Sequence, residues 1–545
     1  MNPTPTATST RPTSDIISGA SPSRFDLHSE SSFWNTWLWW SIPALLGLVF
    51  VLWFVDPFIG DWDGLDYTIL SLAGYPSSMA LGRNLFIFEN HALYQVAHRL
   101  FNVQPENAYL IFKYAVVAQA PLAIIACWVL ARDLTRSLYS ATLAALLLVF
   151  SPVFVLYGGQ VMTDVPSVLF LALALIIHYR GLTQRRAWLV FAGAALMGFG
   201  VNLRETIAFF APWLLFAPFV CGWRSKRREI LIIAGSLVVF LFCALVWFGY
   251  WYLTDVHYRA VWFGWRQSMA EEIARHPVTI ANLRPFFAYF FVSAPLVFLS
   301  LIPAIYSEWR RQRISPLLLL ACVGLFADLL LFLNYSTAVN WRYFLTGLPA
   351  LIPLSADFTL RVLRRPLRTR RNALVATVTL MLTLAIVFTL LLRPASKQFI
   401  ARRAMSRDYR YALAKLPRDA VMISGAQTVA VNYWKAIGLG EWQTIGTGGG
   451  WPGDKLVSVI DRHLTAGQRV FLDADPRWWL PCGWQRDEIP AIVGLQQHFR
   501  FRKTTETIYE LRTERDATAT DEPALEKLLP VNRPEDTRKC PPISN

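Results

Sequence analysis

Apolar residues run through the first 393 positions in blocks long enough to cross a membrane, separated by short polar connections. The first block, Trp37 to Val55, is nineteen residues without a charge and stands shortly before the acidic stretch "DWDGLDY" at 61–67. A helix satisfies every backbone group internally and needs roughly 20 apolar residues to cross ~30 Å of hydrocarbon. On that basis the pattern predicts spans at 37–55, 109–130, 138–157, 165–179, 188–203, 206–220, 230–253, 286–306, 314–333, 343–356 and 373–392. The stretch 188–220 is too long for one crossing at about 1.5 Å per residue and short for two. Charge bias arbitrates: with two short helices there, the connections 132–138, 180–187, 222–229, 307–313 and 361–371 share one side, with eighteen Lys and Arg against three acids. The opposite short connections, 158–164, 203–205 and 334–342, hold only Arg204 and Arg342. The positive-inside rule then favours eleven spans, with the N-terminus in the cytoplasm and the C-terminus outside. The expected setting is a bacterial cytoplasmic membrane.

Two external connections are long. The first, 56–108, contains "DYTILSLAGYPSS" and "ENHALYQVAHRLFNV", whose helical spacing predicts short helices along the membrane interface. The second, 254–285, mixes Arg259, Arg266, Arg275 and Arg284 with Tyr258, Trp262 and Trp265, which suits a surface near phosphates. Past the last span, "AVMISG" and "RVFLDA" read as strands, and "RDYRYALAKL", "QTVAVNYWKAIG" and "DKLVSVIDRHL" as helices. The expected architecture is a tail over 1–33, an all-α polytopic membrane body over 34–393, a small extracytoplasmic α/β domain over 394–512 and a disordered tail over 513–545. "IGTGGGWPGDK" lacks the lysine and hydroxyl of a phosphate-binding loop and reads as a plain loop. The tryptophans of "PRWWLPCGW" suit either stacking on sugar faces or a packed aromatic cluster.

At 54% hydrophobic and 16% charged, the chain departs from the roughly 25% charge of soluble domains. Its net charge of +15 would suggest nucleic acid on a soluble protein. Here the charge follows topology, with "RVLRRPLRTRR" as a stop-transfer anchor, and no nucleic-acid partner is expected. The first 23 residues lack the apolar core of a signal peptide, so the first span serves as export signal. Cys127, Cys221, Cys243 and Cys322 read as small buried hydrophobes, and only Cys482 and Cys540 are placed to meet outside.

In "DWDGLDY", Asp63 and Asp66 are three apart and share a face if a helix begins there, with Asp61 one step outside. A helix cap or solvated loop is the plain explanation for such acids. Topology changes the weighting, because it brings Asp164, Arg204, Glu205 and Arg342 to the same outer level. Charges at that depth face cavities and mark substrate paths. An arginine can hold a phosphate by paired hydrogen bonds while a carboxylate takes a proton from an attacking hydroxyl. Arg83 either reaches a phosphate headgroup or snorkels. Asp328 either lines the cavity or pairs with a neighbouring helix, and His91 and His98 read as interfacial polar residues rather than ligands.

At these residues the chain resembles the GT-C superfamily of membrane glycosyltransferases, especially protein O-mannosyltransferases and the aminoarabinose transferase acting on lipid A. The family loop after the first span opens with an Asp, often followed by Glu, and an aromatic residue four positions on. Asp63 and Tyr67 keep that spacing, whereas Gly64 departs from it. Asp164 matches the acid opening the fourth span, and Arg342, Tyr343 and Pro349 match an "RY" before a late proline-containing helix. The resemblance covers about residues 37–360. It implies transfer of a sugar from a polyprenyl-phosphate carrier to a glycan, lipid or protein acceptor on the outer side, with inversion. Asp63 would be the general base, beside Asp66 and Asp61. Arg204 and Arg342 would hold the carrier phosphate, helped by an arginine of 254–285, with Tyr67, Arg83, Glu205 and Asp164 around the substrate. "DWD" also looks like the two-acid motif of metal-dependent members, whose oxygen ligands suit Mg²⁺ or Mn²⁺. The protein mannosyltransferase relatives do without a metal, so none is expected.

Other readings are a flippase or transporter for a lipid-linked sugar and a polysaccharide polymerase or ligase. The chain has no internal repeat of the kind transporters show, and its large loop follows the first span instead of falling late.

Overall fold

The computed structural model describes residues 33–54, 62–77, 81–222, 226–275, 283–311, 314–334, 341–363, 370–424, 428–446, 453–473 and 494–516. It is mostly helical, and every apolar block of the sequence falls on helix. Along the chain these are α1 (Phe33–Trp53), α2 (Trp62–Ala73), α3 (Asn84–Phe101), α4 (Ala108–Thr135), α5 (Leu138–Val149), α6 (Pro152–Gly158), α7 (Asp164–Gln184), α8 (Ala187–Val201) and α9 (Ala211–Cys221). They continue as α10 (Lys226–Thr254), α11 (Val256–Arg275), α12 (Leu283–Ser293), α13 (Pro295–Trp309), α14 (Pro316–Asn334), α15 (Leu348–Leu363) and α16 (Arg370–Leu413). Among the described residues four helices are long and apolar enough to cross a membrane, or up to six if each bent pair is one span. The remaining apolar helices are shorter, so length and composition alone do not reach the expected eleven.

Local chemistry explains the breaks. Ser151 caps α6 by accepting from the Phe154 N–H, and Pro152 follows at its first turn, so α5 and α6 meet at 64°. Pro295 likewise stands in the first turn of α13, which lies 109° from α12 and has no side-chain cap. The α7–α8 hairpin is drawn together by glycines: a Cβ on Gly193 would lie 2.5 Å from the His178 backbone N, and one on Gly181 2.5 Å from Val190 N. Small residues at such crossings let backbones approach, which drives association where lipid offers no hydrophobic gain.

The loop after α1 forms the two helices expected, α2 and α3. Its far end is fixed by His91, whose Nδ1 bonds the Ser71 carbonyl at 2.8 Å, and His98 bonds Val103 O at 2.9 Å. Both histidines bond backbone carbonyls through Nδ1.

Beyond α16 lies a five-stranded sheet of β1 (Val421–Ser424), β2 (Gln443–Gly446), β3 (Val470–Asp473), β4 (Arg500–Lys503) and β5 (Ile508–Arg512), in order β2-β1-β3-β5-β4. β1 pairs parallel with β2 and β3, and β5 pairs antiparallel with β3 and β4. Helices α17 (Thr428–Ala436) and α18 (Gly453–Thr465) cover it. All four residues of β1 and of β3 are buried, as expected for strands covered on both faces. One face packs Val421, Ile423 and Leu472 on Leu456 and Ile460 of α18. The other carries Met422 and Phe471 into the same core as α17 and the membrane helices. β2 ends on Ile445 and Gly446, the first two residues of the glycine-rich stretch, whose residues 447–452 lie outside the described residues. The sequence pattern does not announce β4 and β5: "RFRK" and "IYELR" are short and charge-bearing. The apolar run of the last block ends at Pro394, and α16 continues beyond it as a polar helix to Leu413. Cys482, Cys540 and the "PRWWLPCGW" tryptophans lie outside the described residues, as do both tails from 1–32 and 517–545.

Candidate active site

Trp62 opens α2 directly after the first helix, which puts Asp63 in its first turn and Asp66 one turn on. α2 is wedged between α4, α3 and, from above, α17. Position 64 faces inward: a Cβ there would lie 3.3 Å from the Val161 carbonyl and 3.8 Å from Tyr109 Oη. This accounts for a glycine at the position. A glutamate would have to enter the α6–α7 connection, whose residues 159–163 are buried.

Three guanidinium groups from distant parts of the chain gather around this helix. Arg342, on the 3-10 turn Trp341–Leu345, reaches Asp63 Oδ2 through Nη2 at 2.5 Å and lies 3.8 Å from Met162 Sδ through Nη1. Arg204 pairs with Asp164, which is fully buried at the start of α7. Arg83 donates from Nε to Glu205 Oε1 at 3.1 Å, and its Cζ sits 5.2 Å from the Tyr67 ring centre. Tyr343 joins the first two pairs, with Arg204 Cζ 5.4 Å and Arg342 Cζ 5.6 Å from its ring. Tyr157 offers Arg342 a second ring at 5.9 Å. Rings over guanidiniums give partial compensation for desolvation.

Electrostatics separate the two α2 acids. Burial opposes ionisation of Asp63, but Arg342, and after it Arg83 and Arg204, outweigh that and hold its carboxyl below the ordinary carboxylate range. Burial, and then the charge of Asp63, push Asp66 up to about 7, against a smaller pull from Arg83. One helix face therefore carries an ionised carboxylate beside a carboxyl that titrates near neutrality. Several buried polar atoms around them have no hydrogen-bond partner among the described residues, including Asp164 Oδ2, Arg204 Nε, Tyr67 Oη and Gln160 Oε1. Such groups are rare in protein interiors and call for an explanation at each position.

Of the residues singled out from sequence, Asp63, Asp66, Tyr67, Arg83, Asp164, Arg204, Glu205 and Arg342 come together here, and Asp61 lies outside the described residues. Arg259 and Arg266 do not join them: they stack on Tyr252 and Trp262 of their own helical arm, at 5.7 and 5.8 Å. Asp328 is buried, with its carboxylate against Gly347. Among the described residues no three His, Cys, Asp or Glu side chains converge as a metal site would require. Met162, Tyr157 and the α17 contact carry no signal in the sequence. Tyr343 does, through the "RY" pair.

Residues 91–247 match the family model described as dolichyl-phosphate-mannose-protein mannosyltransferase. No curated protein matches the chain by sequence. Among solved structures, the fold is similar to ArnT from Cupriavidus metallidurans bound to undecaprenyl phosphate, at TM-score 0.52 and 14% identity, covering 88% of this chain and 98% of that one. It is also similar to the archaeal oligosaccharyltransferase AglB from Archaeoglobus fulgidus in complex with an inhibitory peptide and a dolichol-phosphate, at TM-score 0.51 and 13% identity, covering 90% and 75%. The apo form of the A. fulgidus enzyme matches equally, at TM-score 0.51. The chain thus has the fold of the GT-C membrane glycosyltransferases, and its residues 91–247 carry the sequence pattern of the dolichyl-phosphate-mannose-protein mannosyltransferase family.

Proposed function

We propose that this protein transfers a sugar from a polyprenyl-phosphate carrier to an acceptor hydroxyl or amine on the outer side of the membrane, inverting the anomeric carbon. The observation that carries this reading is the ionised Asp63 on a loop helix, held by Arg342 and surrounded by Arg83 and Arg204. Asp63 takes the proton of the acceptor as its oxygen or nitrogen attacks the anomeric carbon, and the bond from that carbon to the carrier phosphate breaks. The leaving phosphate takes up negative charge, which the guanidiniums stabilise by charge-assisted hydrogen bonds. Asp66, titrating near neutrality, is a second carboxyl able to pass the proton outward. Asp164 and Arg204, with Oδ2 and Nε unsatisfied, supply buried acceptor and donor groups for sugar hydroxyls. The relatives' names support the carrier class: ArnT is bound to undecaprenyl phosphate and AglB to a dolichol-phosphate.

The reaction is proposed to run without a metal, because the carboxylate that would be the natural ligand, Asp63, is neutralised by an arginine. Chelator should then leave the rate unchanged, and rescue by Mg²⁺ or Mn²⁺ after chelation would overturn that part. The test of the whole reading is to offer purified protein in liposomes a panel of polyprenyl-phosphate sugars. Transfer by wild type and its loss in a folded Asp63→Asn variant are expected. Movement of carrier across the bilayer without transfer would favour a flippase instead.

A further inference from the structure

Arg83 has a backbone that arginine seldom adopts, with φ 46° and ψ 35° in the left-handed region. Such a conformation persists only where its surroundings over-determine it, and the contacts that do so are identifiable. On the N-terminal side, Tyr75 donates its hydroxyl to Asp255 Oδ2 at 2.9 Å and packs edge-on against Trp251 at 5.5 Å. Asp255 is the single residue between α10 and α11, and its Oδ1 accepts the Tyr258 N–H at 3.0 Å, capping α11. Tyr258 then returns to the same loop, since a Cβ on Gly82 would lie 3.0 Å from its Oη. On the C-terminal side, the Leu85 N–H donates to the Asn202 carbonyl at 3.2 Å. Tyr75 and Gly82 are therefore tied to the start of α11, and Leu85 to the end of α8. Tyr75 and Tyr258 both bond Asp255, and Tyr258 in turn lies against Gly82, so two points of the first loop are tied to the start of α11. The hydrogen bonds to Asp255 include neither Asp63 nor Asp164 nor their arginines.

We propose that the Tyr75–Asp255–Tyr258 contact is a positioning latch: by joining the two external loops at the α10–α11 joint, it holds Arg83 where it faces the carrier phosphate. Tyr75 and Asp255 are positioning residues, acting through Arg83, and neither meets the substrate. The inference rests on the functional reading above in one respect only, that Arg83 meets a phosphate.

The latch makes a separable prediction, because Tyr75→Phe keeps the ring on Trp251 and removes one hydrogen bond, and Asp255→Ser keeps a helix cap while shortening out of reach of Tyr75. Binding of undecaprenyl phosphate to the full-length protein in nanodiscs is titrated by native mass spectrometry. Each single variant is expected to weaken binding roughly three- to tenfold, the scale of one ordinary intramolecular hydrogen bond. The double variant is expected to be no weaker than the worse single variant, because both remove the same contact. Hydrogen exchange, which needs no ligand, is expected to quicken in residues 81–87 and 255–260 and to stay unchanged in α2. Unchanged binding in both single variants, or additive losses in the double, would overturn the latch. Failure of wild type to bind undecaprenyl phosphate would overturn the functional reading instead, while the exchange result would still decide whether the latch holds the loop. Should Tyr75→Phe not purify as a monodisperse protein, Asp255→Ser carries both measurements.

Discussion

The two ends of the helix bundle both carry arginine–carboxylate pairs, and they use them differently. At the end where the basic connections lie, Arg180 pairs with Asp133 at 2.6 Å and stays 47% exposed. Nearby, Arg361 bridges Glu308 at 3.2 Å and Asp357 at 2.9 Å, and Ser140 donates to the other Asp357 oxygen. Those acids meet cations that the basic loops supply in abundance. At the opposite end the connections are poor in lysine and arginine, yet Arg342, Arg204 and Arg83 all come to one place and are largely buried. They come from residues 279, 40 and 122 positions away from their partners. The lesson is that a salt bridge near the basic loops is a by-product of topology. A buried one formed where topology withholds cations has a cost in desolvation that stability alone does not justify.

This contrast can be broken by experiment, beginning where the effect should be largest. Asp63→Asn is expected to lower transfer about a thousandfold, within the range for a lost general base, in a protein that still folds; radiolabelled sugar transfer measures it. Gly64→Glu is next, since its side chain has to displace Val161 or Tyr109, and overpacking typically costs about 1–3 kcal/mol. A fall in melting temperature with loss of transfer is expected, and a Gly64→Glu protein as stable and active as wild type would refute the tight approach of α2.

A pH series sharpens the difference between the two α2 acids. The folded pKa of Asp66 is raised from 3.8 to about 7, so its protonated form favours the fold below 3.8 and that advantage is lost as pH rises towards 7. Asp66→Asn should therefore raise the melting temperature at pH 8 and leave it nearly unchanged at pH 3.5. Asp63 has the opposite sign: its depressed pKa gives stability present above 3.8 and lost as pH falls below it. The smallest effect belongs to the other end of the bundle. Asp133→Asn removes a pair whose arginine is half exposed, and a change under about 1 kcal/mol in stability with unaltered transfer is expected. A large loss of transfer there would erase the distinction between the two ends.

Much of this arrangement is legible in the chain because membrane solvation leaves few options. Charge-free blocks must be helices, and the basic loops sort the ends, which together bring Asp164, Arg204 and Arg342 to one level from hydropathy and charge alone. The "DWDGLDY" stretch admits a helix start beside a cap or solvated loop, and α2 begins within it. Pairing is what stays hidden. That Arg342 chooses Asp63 while Arg204 chooses Asp164 depends on which helices touch, and hydropathy carries no record of neighbours. The same holds for α17, whose amphipathic pattern promises a helix without showing that it packs on α2 or that Tyr433 stands 6.5 Å from Tyr109. β4 and β5 escape the sequence pattern for a different reason: about half of their residues are charged, and β5 joins the sheet through β3, more than thirty residues earlier, so local propensity has little to offer.

Wild type and Asp63→Asn, each reconstituted with a polyprenyl-phosphate sugar, can be compared for carrier binding and for single-turnover transfer in the same preparation. Binding by the variant at least as tight as wild type, because a negative charge facing the phosphate is gone, together with transfer reduced about a thousandfold, is the predicted outcome. Transfer at the wild-type rate would contradict the central claim that this carboxylate, gathered among three arginines, accepts the proton.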